Sequence, residues 1–143
     1  MNKAPFSQPP PVDTGHIKKV QLKLPGQFQN VPIIVSLYQF YSSFHDELTR
    51  FPKSERYSLG ATCQTEILEV LKQCLQAASS SSPEQKAIFL HKASASLDVL
   101  RLLLSLCKDC RCISNPTYQQ LDSKLSEIGR MLGGWLKSLS SSP

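Results

Sequence analysis

From Pro32 onward, apolar residues recur at alternating steps of three and four, the spacing that puts them on one face of a helix with 3.6 residues per turn. Ile34, Leu37, Tyr41, Phe44, Leu48 and Phe51 define a first amphipathic helix over about 33–51, which Pro52 ends. Leu59, Cys63, Ile67, Val70, Cys74 and Ala77 keep the same beat over about 54–78, and the run Ser79 to Ser82 breaks it. Ser82-Pro83-Glu84-Gln85 reads as a helix start: Ser82 can accept from an orphan amide, Pro83 suits the first helical position, and Gln85 can close a capping box. The helix that follows, about 83–111, carries Leu90, Ala93, Leu97, Leu100, Leu104 and Cys107, widened by Leu103 and Leu106, and is expected to be the most buried of the set. Asn115 and Pro116 supply the next cap and first position. A helix over about 116–138 then presents Leu121, Leu125, Ile128, Leu132 and Trp135, with Leu139 continuing the stripe.

Four such helices joined by short polar turns must each lie antiparallel to its sequence neighbour, because a short connection cannot return the chain to its starting end. The expected fold is all-α, an antiparallel up-down-up-down four-helix bundle over residues 32–139. Ahead of it, residues 1–31 form a Pro-rich N-terminal tail. Six of the ten prolines fall within residues 1–32, at a spacing that excludes helix. Val20, Leu22 and Leu24 alternate there with Gln21 and Lys23, which suits either a short extended arm laid on a neighbouring surface or a disordered linker.

At 143 residues the chain is long enough for one domain with a real core. No stretch approaches the roughly 18 consecutive apolar residues of a membrane span. Pro9-Pro10-Pro11 stands where a secretory signal would have its apolar core, so a cytoplasmic protein is expected. The net charge is +5, of which residues 1–30 carry +3 through Lys3, Lys18, Lys19 and Lys23 against Asp13, leaving +2 for the helical body. The odd set Cys63, Cys74, Cys107, Cys110 and Cys112 reads as reduced thiols.

Tests for site chemistry return little that resembles an enzyme. Cys107, Cys110 and Cys112 have metal-like spacing, but no second ligand pair exists to complete a zinc site. No glutamate has a histidine three residues on, as di-iron bundles require, and His16, His45 and His91 occur singly. Neither a phosphate-cradling glycine loop nor a nucleophile elbow is present, so no cofactor is expected. Two features ask for more. Gly129, Gly133 and Gly134 each cost about 1 kcal/mol inside a helix relative to alanine. Either the helix stops at Leu132 with a glycine cap, or it continues and Gly129 and Gly133 let another backbone approach, that of a second subunit included. The cations Arg50, Lys53, Arg56, Lys72, Arg101, Lys108, Arg111, Lys124, Arg130 and Lys137 are candidates for a phosphate-binding surface. Glu69 with Lys72, Asp98 with Arg101 and Glu127 with Arg130 are also spaced for pairing within a helix, while Arg50, Lys108, Arg111 and Lys137 stand near helix C-termini, where cations are favoured.

Two segments carry a family resemblance: Phe51-Pro52-Lys53-Ser54-Glu55-Arg56-Tyr57-Ser58-Leu59-Gly60, and Glu127-Ile128-Gly129-Arg130-Met131-Leu132-Gly133-Gly134-Trp135-Leu136-Lys137. Together they resemble the accessory variability determinant (Avd) family of diversity-generating retroelements, itself related to four-helix-bundle proteins of ribosomal RNA intervening sequences. The likeness spans about residues 33–138. It implies a noncatalytic subunit, a ring-like homopentamer, that binds a reverse transcriptase together with RNA and cDNA and supports error-prone copying of a template. It further implies nucleic-acid or polymerase contacts at Lys53, Arg56, Arg130 and Lys137, joined as candidates by Arg101, Lys108 and Arg111. Gly129, Gly133 and Trp135 would then pack the bundle or its subunit interface. The alternative is a stand-alone structural bundle of the intervening-sequence type.

Overall fold

The computed structural model describes residues 23–140. Its helices in chain order are α1 (Pro32–Leu48), the single-turn α2 (Lys53–Arg56), α3 (Leu59–Ser79), α4 (Pro83–Asp109) and α5 (Asn115–Ser140), with no strand among the described residues. The four long helices form the expected bundle. α1 packs on α3 and α5, and α4 packs on the same two, so each helix stands beside its chain neighbours.

Cross-helix contacts fix the antiparallel sense, because partner numbers fall on one helix as they rise on the other. Cys63 meets Cys107 near one end of the α3–α4 pair, and Lys86 Nζ donates to Ala77 O at the other. Between α4 and α5, Leu97 lies beside Gly129 and Arg101 beside Asp122. Between α1 and α3, Gln64 donates to the Tyr41 hydroxyl and Leu48 meets Gly60. One end of the bundle, here the corner end, therefore gathers the stop of α1, α2, the start of α3 and the α4–α5 loop. No helix among the described residues is long and apolar enough to cross a membrane.

The stripes read from the sequence become one core. Leu37, Phe44, Ile67, Val70, Leu90, Leu100, Leu104 and Leu125 are fully buried, each contributing about 1.5–3 kcal/mol. Residues 23–31 join it: Leu24 is buried, a 3-10 turn forms at Gly26–Phe28, Gln29 donates to Leu24 O, and the Tyr38 hydroxyl donates to Lys23 O. Val20 and Leu22 of the alternating arm fall outside the described residues.

Three local features depart from expectation. The helix expected over 54–78 is broken at Tyr57-Ser58, leaving α2 as a separate turn, although Leu59 and Cys63 hold the phase of α3. Asn115 is already helical, and Ser114 is the cap of α5, its Oγ accepting from the Thr117 amide at 3.2 Å. Ser82, by contrast, caps α4 as read, accepting from the Gln85 amide at 3.1 Å. Finally, α4 is not buried all round. Leu106, expected to widen the buried face, lies 43% exposed, and with Ile88, Val99 and Leu102 it forms an apolar stripe on the outer face.

The break at Tyr57-Ser58 has a packing cause. Phe51 turns inward and sets its ring edge-on to Phe44 at 5.7 Å. The chain must then re-enter the bundle directly over α1, and Gly60 lets it do so: a Cβ there would collide with Leu48 Cδ1 and press on Glu55 O at 3.3 Å and Phe51 Cδ2 at 3.4 Å. Gly60→Ala is therefore expected to destabilise the fold by roughly 1–3 kcal/mol through overpacking, despite alanine's better helix propensity. Denaturant unfolding measures this, and an equal or higher midpoint would contradict the corner packing.

Candidate functional site

The bundle distributes the seven candidate cations over three places. Lys53 and Arg56 on α2, Lys108 in the last turn of α4 and Arg111 just after it share the corner end. Glu55 lies close enough to α4 for its charge to act on Cys107 and Cys112, so α2 sits beside the α4–α5 loop. Arg101 faces α5 midway along α4. Arg130 and Lys137 lie toward the far end of α5.

Their surroundings separate structural from available charge. Arg56 Nη2 donates to Thr49 O at 3.2 Å and to Phe51 O at 3.5 Å, neutralising carbonyls that the stop of α1 leaves without helical partners. Arg101 Nη2 donates to Ser126 Oγ at 2.8 Å and stands 3.7 Å from Asp122, so it ties α4 to α5 in place of the expected pairing with Asp98. Lys108 Nζ sits 4.6 Å above the centroid of the Tyr118 ring and 3.9 Å from Asp109. The pairs expected within helices do form for Glu69 with Lys72 at 3.8 Å and for Glu127 with Arg130 at 2.9 Å. Lys53, Arg111 and Lys137 are exposed, and their side chains have no partner among the described residues.

The glycines of α5 fall on different sides. The helix runs through all three to Ser140. Gly129 faces α4, where a Cβ would touch Leu97 Cδ2 at 3.6 Å and Arg101 Nη1 at 3.7 Å, while Gly133 and Gly134 meet nothing within 4 Å. Trp135 packs against the core half-buried.

All five cysteines are free, and only Cys110 is exposed. The Cys63 and Cys107 thiols lie 3.6 Å apart in hydrogen-bond contact. That hydrogen bond, followed by burial, holds Cys107 far above the usual thiol range. Burial pushes Cys74 up to about 12 and Cys112 up to about 11, so neither supplies a thiolate at neutral pH. Among the described residues, no three His, Cys, Asp or Glu side chains are grouped to hold a metal ion.

Sequence reading did not single out Tyr57, whose side chain is 76% exposed at the end of α2, nor the backbone of Arg111, held at φ 62°. Tyr57 falls in phase with no stripe, the one signal that would have marked it. Nothing in the local sequence distinguishes Arg111 from any cation near a helix stop.

A family model described as bAvd-like matches residues 33–139, a span that begins one residue into α1 and ends one residue short of the end of α5. No curated protein matches the chain.

Two outcomes follow from this geometry. Maleimide labelling of the folded chain at neutral pH is expected to modify Cys110 alone, with the other four thiols reacting only on unfolding; fast modification of Cys63 or Cys107 would contradict the sealed seam. Arg56→Ala is expected to cost about 1–2 kcal/mol, since it strips charge-assisted bonds from the exposed Thr49 carbonyl and the part-buried Phe51 carbonyl. Arg130→Ala, which loses only an exposed pair, should stay within about 0.5 kcal/mol of the parent. Equal losses in thermal melts would refute the distinction.

Proposed function

The chain belongs to the bAvd-like family, and from that premise we propose that it is a noncatalytic accessory subunit of a diversity-generating retroelement, binding the element's reverse transcriptase with its RNA and cDNA. The family match over the whole helical body carries this reading. The layout of the surface supports it. The seam consumes the inward residues, and the outer faces keep unpaired cations at both ends, at Lys53 and Arg111 and again at Lys137. Such groups attract a polyanion by releasing its counterions.

Assembly into a homo-oligomer, a pentamer by the family pattern, belongs to the same reading. Val99, Leu102 and Leu106 on the outer face of α4 are 45%, 66% and 43% exposed, and contiguous exposed apolar surface of this kind marks protein contact sites. Gly133 and Gly134 offer a second flat place where another backbone can approach. Repeating a few weak cationic contacts around a ring multiplies them into useful avidity.

The chain's part in the chemistry is then to hold polymerase and template together, with the polymerase supplying bond formation. Of the cations carried over by resemblance, Lys53 and Lys137 are the ones whose charge is free for this, while Arg130 shares its charge with Glu127. Arg56 and Arg101 act by holding the bundle that presents them.

Co-expression of the chain with the reverse transcriptase of a diversity-generating retroelement tests the reading, with the mass of the purified assembly taken by light scattering. A stable complex holding several copies of the chain per polymerase, and cDNA synthesis that falls when the chain is omitted, is the expected result. A polymerase that purifies alone and copies its template equally well without the chain would overturn it.

A further inference from the structure

Three observations at the corner end are left over from packing and ion pairing. The Tyr57 ring is 76% exposed although it follows directly on a corner whose other large ring, Phe51, is buried. Tyr57 has no side-chain partner among the described residues. The second observation is the backbone of Arg111. After α4, the Cys112 amide returns to Cys107 O and the Arg111 amide to Lys108 O, a helix stop whose residue with positive φ is usually glycine. Arginine occupies it at φ 62°, a conformation its Cβ opposes, with its side chain exposed and unpaired. Strain of this kind, kept where a glycine would relieve it, is a mark of a side chain in use. The third is local charge. Glu47 is taken by Arg50, Asp109 stands beside Lys108, and Glu55 accepts from Ser58, whereas Lys53 and Arg111 remain free.

We infer that the corner end is a binding site for single-stranded nucleic acid, with Tyr57 stacking on an unpaired base and Lys53 and Arg111 taking phosphates of the same strand. An exposed aromatic face sharing one end of the bundle with unpaired cations suits a strand held without reading its sequence. A duplex hides the faces of its bases, so the site selects the unpaired strand. This rests on the nucleic-acid part of the proposed function and deepens it by naming the form of nucleic acid and the residues that hold it.

Fluorescence anisotropy tests it with the full chain and a labelled RNA of roughly 12 nucleotides, offered single-stranded or annealed to its complement. The single strand is expected to bind more tightly than the duplex. Tyr57→Ala should weaken it by roughly 5- to 100-fold with an unchanged salt slope, and Tyr57→Trp should restore it. Arg111→Gly relieves the strained backbone and removes a phosphate contact, so it should raise the melting temperature while lowering affinity and reducing the salt slope by about 0.7. Opposite signs on stability and binding are what a purely structural role for Arg111 would not produce.

Tyr57→Ala binding like the parent, or duplex binding equal to that of the single strand, would overturn the inference. So would Tyr57→Ala losing the polymerase while keeping RNA, which would give this face to a protein partner. RNA binding that depends on Tyr57 in a chain that holds no polymerase would leave the inference standing and defeat the accessory-subunit reading instead.

Discussion

The structure depends on closing one apolar seam among four helices. None of them can hide its stripe alone, since an isolated amphipathic helix in water gains too little from its own hydrogen bonds to stay folded. The α3–α4 pair shows how completely the seam closes: Cys63, Ile67, Val70, Cys74 and Ala77 on one helix and Leu90, Ala93, Leu97, Leu100, Leu104 and Cys107 on the other are nearly or fully excluded from solvent. The outer faces and the ends are what the bundle leaves exposed to solvent.

The corner end shows how a packing demand shapes an exposed surface. Phe51 must reach the core, Gly60 must pass under Leu48, and the residues between them are pushed outward as the single turn of α2. Arg56 secures that turn against the carbonyls of α1. Lys53 and Tyr57, on the same turn, face solvent. The α4–α5 loop completes the end with Arg111 in a left-handed backbone. The segment from Phe51 to Gly60, which carries half of the family resemblance, is thus a sequence requirement of the corner as much as of any partner.

The fold class was legible because period and punctuation agreed: the stripes at steps of three and four, the Ser82-Pro83 start and the prolines ahead of α1 all pointed to four antiparallel rods. Legibility failed where tertiary contacts overrode local pattern. Leu59 and Cys63 keep the beat across the break at Tyr57-Ser58, so only the space that Gly60 leaves under Leu48 reveals it. Asn115-Pro116 looks like a cap, yet Ser114 is one residue better placed to bond the Thr117 amide. Leu106 carries the right residue type on the wrong side of α4. At the candidate site, residue type identified the cations but not their occupation: Arg101 pairs across to α5, which no spacing along α4 could reveal. The strain at Arg111 is a property of the backbone alone.

The seam is closed among the four helices, and under the proposed function the corner end is where partners meet the bundle. Hydrogen–deuterium exchange of the full chain, free and in complex with the polymerase and its template RNA, addresses both halves at once. The slowest amides are expected within α3 and α4 in both states, with new protection on complex formation at Lys53–Leu59 and Cys110–Ser114. Faster exchange through α3 and α4 in the complex, or new protection confined to the end of the bundle where α3 stops and α4 begins, would contradict it.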